Sequence, residues 1–122
     1  MILNNNLYNV VERNDNSFRI ALNTESLIYK AHFPEQPITP GVCIIQIASE
    51  LLKDLISRDM DLSEVINAKF LSVINPLETK EVVYSFSKMT EDSENKTLKI
   101  TCTVSSEKTV CAKLSLLYTL ND

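Results

Sequence analysis

The sequence predicts an α+β fold of two layers, one long helix against an antiparallel sheet, with residues 1–122 forming one domain. Three observations predict it. One stretch, from Gly41 to about Arg58, carries apolar residues at helical spacing over several turns. The second half of the chain alternates apolar and polar residues with the period of strands. The links between those later strands are too short for parallel crossovers, so neighbours must pair antiparallel.

Residues 7–12 are expected to form a short strand. Asn14-Asp15-Asn16 is a turn signal, and Ser17 to Leu22 returns as a second strand. A loop from about Tyr29 to Pro40 follows. In the helix, Ile44, Ile45, Ile47, Ala48, Leu51, Leu52, Leu55 and Ile56 fill about half of the circumference. Val42, Cys43, Gln46, Ser49, Glu50, Lys53 and Asp54 take the other half. An apolar arc that wide implies a helix wrapped by a curved sheet. Val65–Ile74 is then expected as a strand ending at Asn75-Pro76, and Lys80–Met89 as the next, with Val82, Tyr84 and Phe86 inward. Thr90–Asn95 is expected as an acidic hairpin loop. Thr97–Val104 places Leu98, Ile100, Cys102 and Val104 inward, and Lys108–Leu120 closes the sheet. Cys102 belongs to the core on this reading and Cys111 to the outward face. An uncovered edge strand predicts self-association.

Composition removes several function classes. A net charge of −4 argues against nucleic acid or an anionic membrane as the main partner. No apolar run approaches the ~20 residues that span a bilayer, and Met1-Ile2-Leu3 followed by three asparagines does not read as a signal peptide. Three cysteines without CxxC spacing suggest neither disulfides nor zinc, and a reducing cytoplasm is the simplest compartment. With one histidine and no carboxylates at ligand spacing, no metal or cofactor is expected.

The most informative stretch is His32-Phe33-Pro34-Glu35-Gln36-Pro37-Ile38-Thr39-Pro40-Gly41-Val42, which holds the only histidine, the only glycine and three of the four prolines. A stiff loop thus delivers one titratable ring and one helix N-terminus together. With Ile44-Ile45, Ala68-Lys69-Phe70 and Asn75-Pro76-Leu77, this stretch resembles the hotdog-fold 3-hydroxyacyl-(acyl carrier protein) dehydratases of fatty acid synthesis, the FabZ/FabA type. The resemblance runs from about residue 30 onward and more loosely over the N-terminal hairpin.

The resemblance implies a dimer or higher even oligomer in which a histidine of one subunit works with a carboxylate on the partner's central helix. The histidine maps onto His32, and the carboxylate position, fourteen residues on, holds Gln46. The family's helix-opening glycine maps onto Gly41, whose N–H is implied to hold the thioester carbonyl. Phe33, Pro40 and Val42 fall around the substrate. The chain also departs from the family at Glu35, where glycine is usual, and at Pro76-Leu77-Glu78, where a Pro-Gly-Asp type of turn is usual. The substrate implied is an acyl thioester carried on the phosphopantetheine of acyl carrier protein or on CoA.

Dehydration needs a base at C2, a donor for the thioester oxygen and help for the leaving C3 hydroxyl. His32 suits the first and the bare N–H groups at Gly41 and Val42 the second. An amide cannot transfer a proton, so Gln46 can only hydrogen bond. Glu50, one turn on along the same face, is the candidate substitute acid within the chain. A related chain in a heterodimer is another source. Two other readings follow: a non-catalytic acyl-binding or partner subunit, and a hotdog thioesterase using Glu50. Cys43, in the first turn, invites comparison with a thiolate nucleophile activated by the helix dipole, but its simpler role is packing.

Overall fold

The computed structural model describes residues 2–31 and 35–121. Strands β1 (Tyr8–Arg13) and β2 (Ser17–Leu22) form a hairpin, followed by the short helix α1 (Leu27–Ala31) and the long helix α2 (Gly41–Ile56). Strands β3 (Met60–Phe70), β4 (Glu81–Asp92), β5 (Thr97–Ser105) and β6 (Val110–Leu120) complete one six-stranded sheet in the order β1-β2-β4-β5-β6-β3, every pair antiparallel. The expected helix-on-sheet architecture is the one observed.

The core lies between α2 and one face of the sheet. The inward residues of β4, β5 and β6, from Val82, Tyr84 and Phe86 through Leu98, Ile100, Cys102 and Val104 to Leu114, Leu116 and Tyr118, are all buried. From α2 they meet Ile44, Ile47, Ala48, Leu51 and Leu52. Three tyrosines tie the layers polar atom to polar atom. The Tyr84 hydroxyl donates to the Ile44 carbonyl at 3.0 Å, Tyr118 meets Ser49 Oγ at 2.8 Å, and Tyr8 reaches Glu50 at 3.0 Å. Buried hydroxyls cost free energy unless partnered, so these bonds fix where along the sheet the helix rests. The helix ends at Ser57, which adopts the left-handed conformation (φ 54°) while its N–H closes on Lys53 O at 2.9 Å.

Several expectations need correction. The third strand runs over Met60–Phe70 rather than Val65–Ile74. It is an edge strand exposed along almost all of its length, so Asp61, Ser63 and Glu64 are tolerated within it and no alternation marks its start. The fourth strand continues through Asp92 past a bulge at Lys88 (φ 53°), and the turn contracts to residues 93–96. Asp92 nucleates that turn by accepting the Glu94 and Asn95 N–H groups at 3.1 and 3.2 Å. Cys111 is buried, not outward, and Cys43 and Ser49 belong to the buried side of α2. The loop expected from about Tyr29 begins later, because Leu27–Ala31 form α1, a single helical turn too short to show a period.

The two sheet edges differ. β1 is six residues long and bulged near Val10–Glu12, whereas β3 is eleven long and exposes Leu62, Val65, Ile66 and Phe70, each at least 40% accessible. No helix among the described residues is long and apolar enough to cross a membrane.

Candidate active site

The approach to α2 is pinned from both sides. The Thr39 N–H donates to Ile74 O at 2.9 Å, and Thr39 Oγ1 meets the buried Tyr29 hydroxyl at 2.8 Å. Burial pushes the Tyr29 phenol up to about 12, so it stays protonated throughout the physiological range. Pro40 then sits extended (φ −61°, ψ 145°) as the N-cap, with no side chain closing the helix start. The N–H groups of Cys43 and Ile44 both turn back to Pro40 O, at 2.9 and 3.0 Å. Those of Gly41 and Val42 have no acceptor among the described residues, at the positive end of the helix. Val42 itself is 68% exposed.

Gly41 opens onto a shallow groove of about 290 Å³ bounded by Ile38, Ile44, Phe70 and Val73. A Cβ built on Gly41 would stand 2.9 Å from Phe70 Cζ. Glycine therefore leaves the helix start bare and also lets an aromatic ring from the end of β3 lie against it. The sequence marked Phe70 only through its place in the Ala68-Lys69-Phe70 match; nothing in the spacing showed that its ring lies against Gly41.

Gln46 and Glu50 are half-buried and share a different groove, of about 610 Å³, with Tyr8, Asn4, Lys53 and Leu62. Five residues separate Gly41 from Gln46, about 140° around the helix at 3.6 residues per turn. Within one protomer the helix start and the amide therefore face different ways. Gln46 Nε2 donates to Glu50 Oε2 at 2.9 Å. The same carboxylate accepts the Leu3 N–H at 2.8 Å, the Asn4 N–H at 2.9 Å and the Tyr8 hydroxyl at 3.0 Å. Two donors on each oxygen occupy all of its roughly four lone-pair positions. Burial and the Glu50 charge push the Tyr8 phenol far up, so it acts only as a donor there. The contact between an i and an i+4 residue was legible from sequence. The two backbone donors were not, because an N–H group forty-six or forty-seven residues away carries no side-chain signal.

Cys43 is buried, and that burial pushes its thiol up, the opposite of what a dipole-activated nucleophile needs. Packing is the role its surroundings support. His32 and Phe33 lie outside the described residues. Pro40, Gly41 and Val42 are brought together at the helix start; Gln46 and Glu50 are brought together one and two turns along. Among the described residues no cluster of three His, Cys, Asp or Glu side chains could hold a metal ion.

A long helix cradled by a six-stranded antiparallel sheet in the order found here, with its first turn uncapped, defines a hotdog-fold protein. The family model described as ApeI dehydratase matches residues 9–114, and the chain belongs to this ApeI-like family. Among solved structures it is similar to the dehydratase heterocomplex ApeI:P from Xenorhabdus doucetiae, at 16% identity, 88% of this chain, 91% of that one and a TM-score of 0.62. It is also similar to Cj0977, a virulence protein of Campylobacter jejuni, at 14% identity, 98% and 88% coverage and a TM-score of 0.71. A hypothetical thioesterase with coenzyme A from Streptococcus pneumoniae is similar at 8% identity, 93% and 85% coverage and a TM-score of 0.64. At these identities the likeness establishes the fold. No curated protein matches the sequence.

Proposed function

We propose that this protein is a dehydratase-like enzyme that eliminates water from 3-hydroxyacyl thioesters carried on acyl carrier protein or CoA, in fatty acid or related lipid or polyene synthesis. Membership of the ApeI-like dehydratase family carries the reading. The bare N–H groups at Gly41 and Val42 support it, since charge on the thioester oxygen grows as C2 loses its proton and donors fixed beforehand stabilise that charge. His32 takes the C2 proton. Because Gln46 has no proton to give, His32 then returns that proton to the C3 hydroxyl as it leaves, forming the C2–C3 double bond and water. Gln46 holds the hydroxyl. Phe33, Pro40 and Val42 flank the thioester. No metal or cofactor enters this scheme. Glu50 is engaged by four donors of its own protomer, so the scheme routes no step through it.

On this reading the site spans two subunits. Leu62, at the start of β3, borders the Gln46 groove, and Phe70, at its end, borders the Gly41 groove. Antiparallel pairing of two β3 edges about Val65 and Ile66 sets the Phe70 end of one protomer beside the Leu62 end of the other. The Gly41 groove of each then faces the Gln46 of its partner. Ile66→Lys is expected to turn the dimer into a monomer by light scattering, because a buried unpaired charge at a twofold contact appears twice. A dimer that survives the change would place the interface elsewhere.

The chemistry is tested with purified protein and a 3-hydroxyacyl thioester, following the absorbance of the conjugated enoyl product. His32→Ala is expected to reduce the rate by at least about 10²-fold, the scale of general acid–base help. An unchanged rate would remove His32 from the mechanism.

A second reading has specific support. The chain could be the acyl-binding subunit of a heterodimer in which a related chain supplies the carboxylate. Gln46 favours it, and the ApeI:P relative is itself a heterocomplex. Activity that appears only when the related chain is added would select this reading. Thiol release in the same assay would select thioesterase activity instead.

A further inference from the structure

We propose that Glu50 is the positioning residue of the site: its carboxylate sets the orientation of the Gln46 amide and ties the N-terminal segment to the same point. The proposal rests on the reading above that Gln46 meets substrate. A carboxylate accepts hydrogen bonds and cannot donate one when ionised. Of the two ends of an amide, only the NH2 end can therefore face Glu50, as the 2.9 Å contact from Nε2 to Oε2 records. Reversing the amide would set two oxygens against each other. The side chain thus keeps its carbonyl end turned from Glu50 and has one N–H of the pair committed to it.

Glu50 is in turn held from three directions outside its own helix. Leu3 N–H binds Oε2, and Asn4 N–H and the Tyr8 hydroxyl bind Oε1. Leu3 and Tyr8 are themselves buried, at 1% each, so the donors are fixed in place by packing. A carboxylate on a solvated helix face swings through several rotamers; this one is held by four donors. The N-terminal segment, which has no residue with the chemistry of the reaction, becomes part of the machinery that orders the site.

The experiment compares wild type with Glu50→Gln, following the Gln46 side-chain amide in ¹⁵N-edited NMR spectra and kcat and KM on the 3-hydroxyacyl thioester. In Glu50→Gln the Gln46 amide resonances are expected to move and lose their single orientation. The value of kcat should fall about 10- to 100-fold with KM nearly unchanged, as for a misplaced group that still lets substrate bind. If Glu50→Gln does not fold, Glu50→Asp, which keeps the charge and shortens its reach by one methylene, takes its place with the same expectation. Gln46 resonances that stay put in a folded variant overturn the proposal. Wild type that shows no turnover overturns the dehydratase reading instead, and the NMR comparison still decides whether Glu50 orients Gln46.

Discussion

Gln46→Glu is expected to speed enoyl formation by about 10²- to 10⁴-fold over the native chain, the range associated with a positioned general acid. The new carboxyl would occupy the place of an amide whose nitrogen stands 2.9 Å from Glu50 Oε2. Two carboxylates at that separation cannot both ionise freely, so the pair keeps one proton between them to a pH above the ordinary carboxylate range. A retained proton beside the leaving hydroxyl is what the native site lacks on the proposed mechanism. The same change should weaken the fold. It removes the donor from Gln46, and it makes the folded pair bind more protons than the unfolded chain. Stability should therefore fall as pH rises above the ordinary carboxylate range and be best retained below it. A pH series of thermal melts set beside a pH–rate profile checks both halves. A variant no faster than wild type, in a protein that turns substrate over, would show that protonation of the hydroxyl is not what limits the reaction.

The largest effect on stability is expected from Leu52→Ala. Leu52 is fully buried in the fourth turn of α2, against the sheet. Truncating a leucine in such a position loses its transfer free energy and leaves a cavity, together about 2–5 kcal/mol. Domains of this size are held by only about 5–15 kcal/mol, so a large share of the margin would be gone. The sheet behind Leu52 is hydrogen bonded from strand to strand across all six strands and has little freedom to close the gap. The neighbouring Lys53, exposed on the same turn, makes the control: Lys53→Ala should change stability by no more than about 0.5 kcal/mol. Urea unfolding, with the midpoint shifting and the slope constant, reads out both.

What could be read from the sequence depended on whether a residue's surroundings leave a periodic trace. β5 and β6 were placed to within a residue or two because one face of each is buried and the other is not, so apolar residues fall on every second position. β3 was misplaced because both of its faces are largely open, and residues under no burial constraint follow no period. Ser49 looked like a polar-face residue and is buried, because Tyr118 on β6 offers its hydroxyl a partner. The helix start at Pro40-Gly41 was legible, since proline and glycine mark backbone geometry directly. The division of the site between two grooves followed from helical spacing only once the sheet showed what each side of α2 faces. The cradle around Glu50 had no trace at all, being built largely from main-chain donors.

The three tyrosines beneath α2 have a consequence for any lipid the protein accepts. Their rings fill interior space of the protomer, and Tyr8, Tyr84 and Tyr118 are each no more than 1% accessible. Shortening one of them would open a void beneath the helix at a cost in stability, so this space is poorly suited to evolve into a tunnel. On the proposed function, an acyl tail would lie at the protein's margin, along surfaces such as those of Phe70, Val73 and Leu62. Preference for tail length would be written in the side chains of that margin, free to change without disturbing the interior.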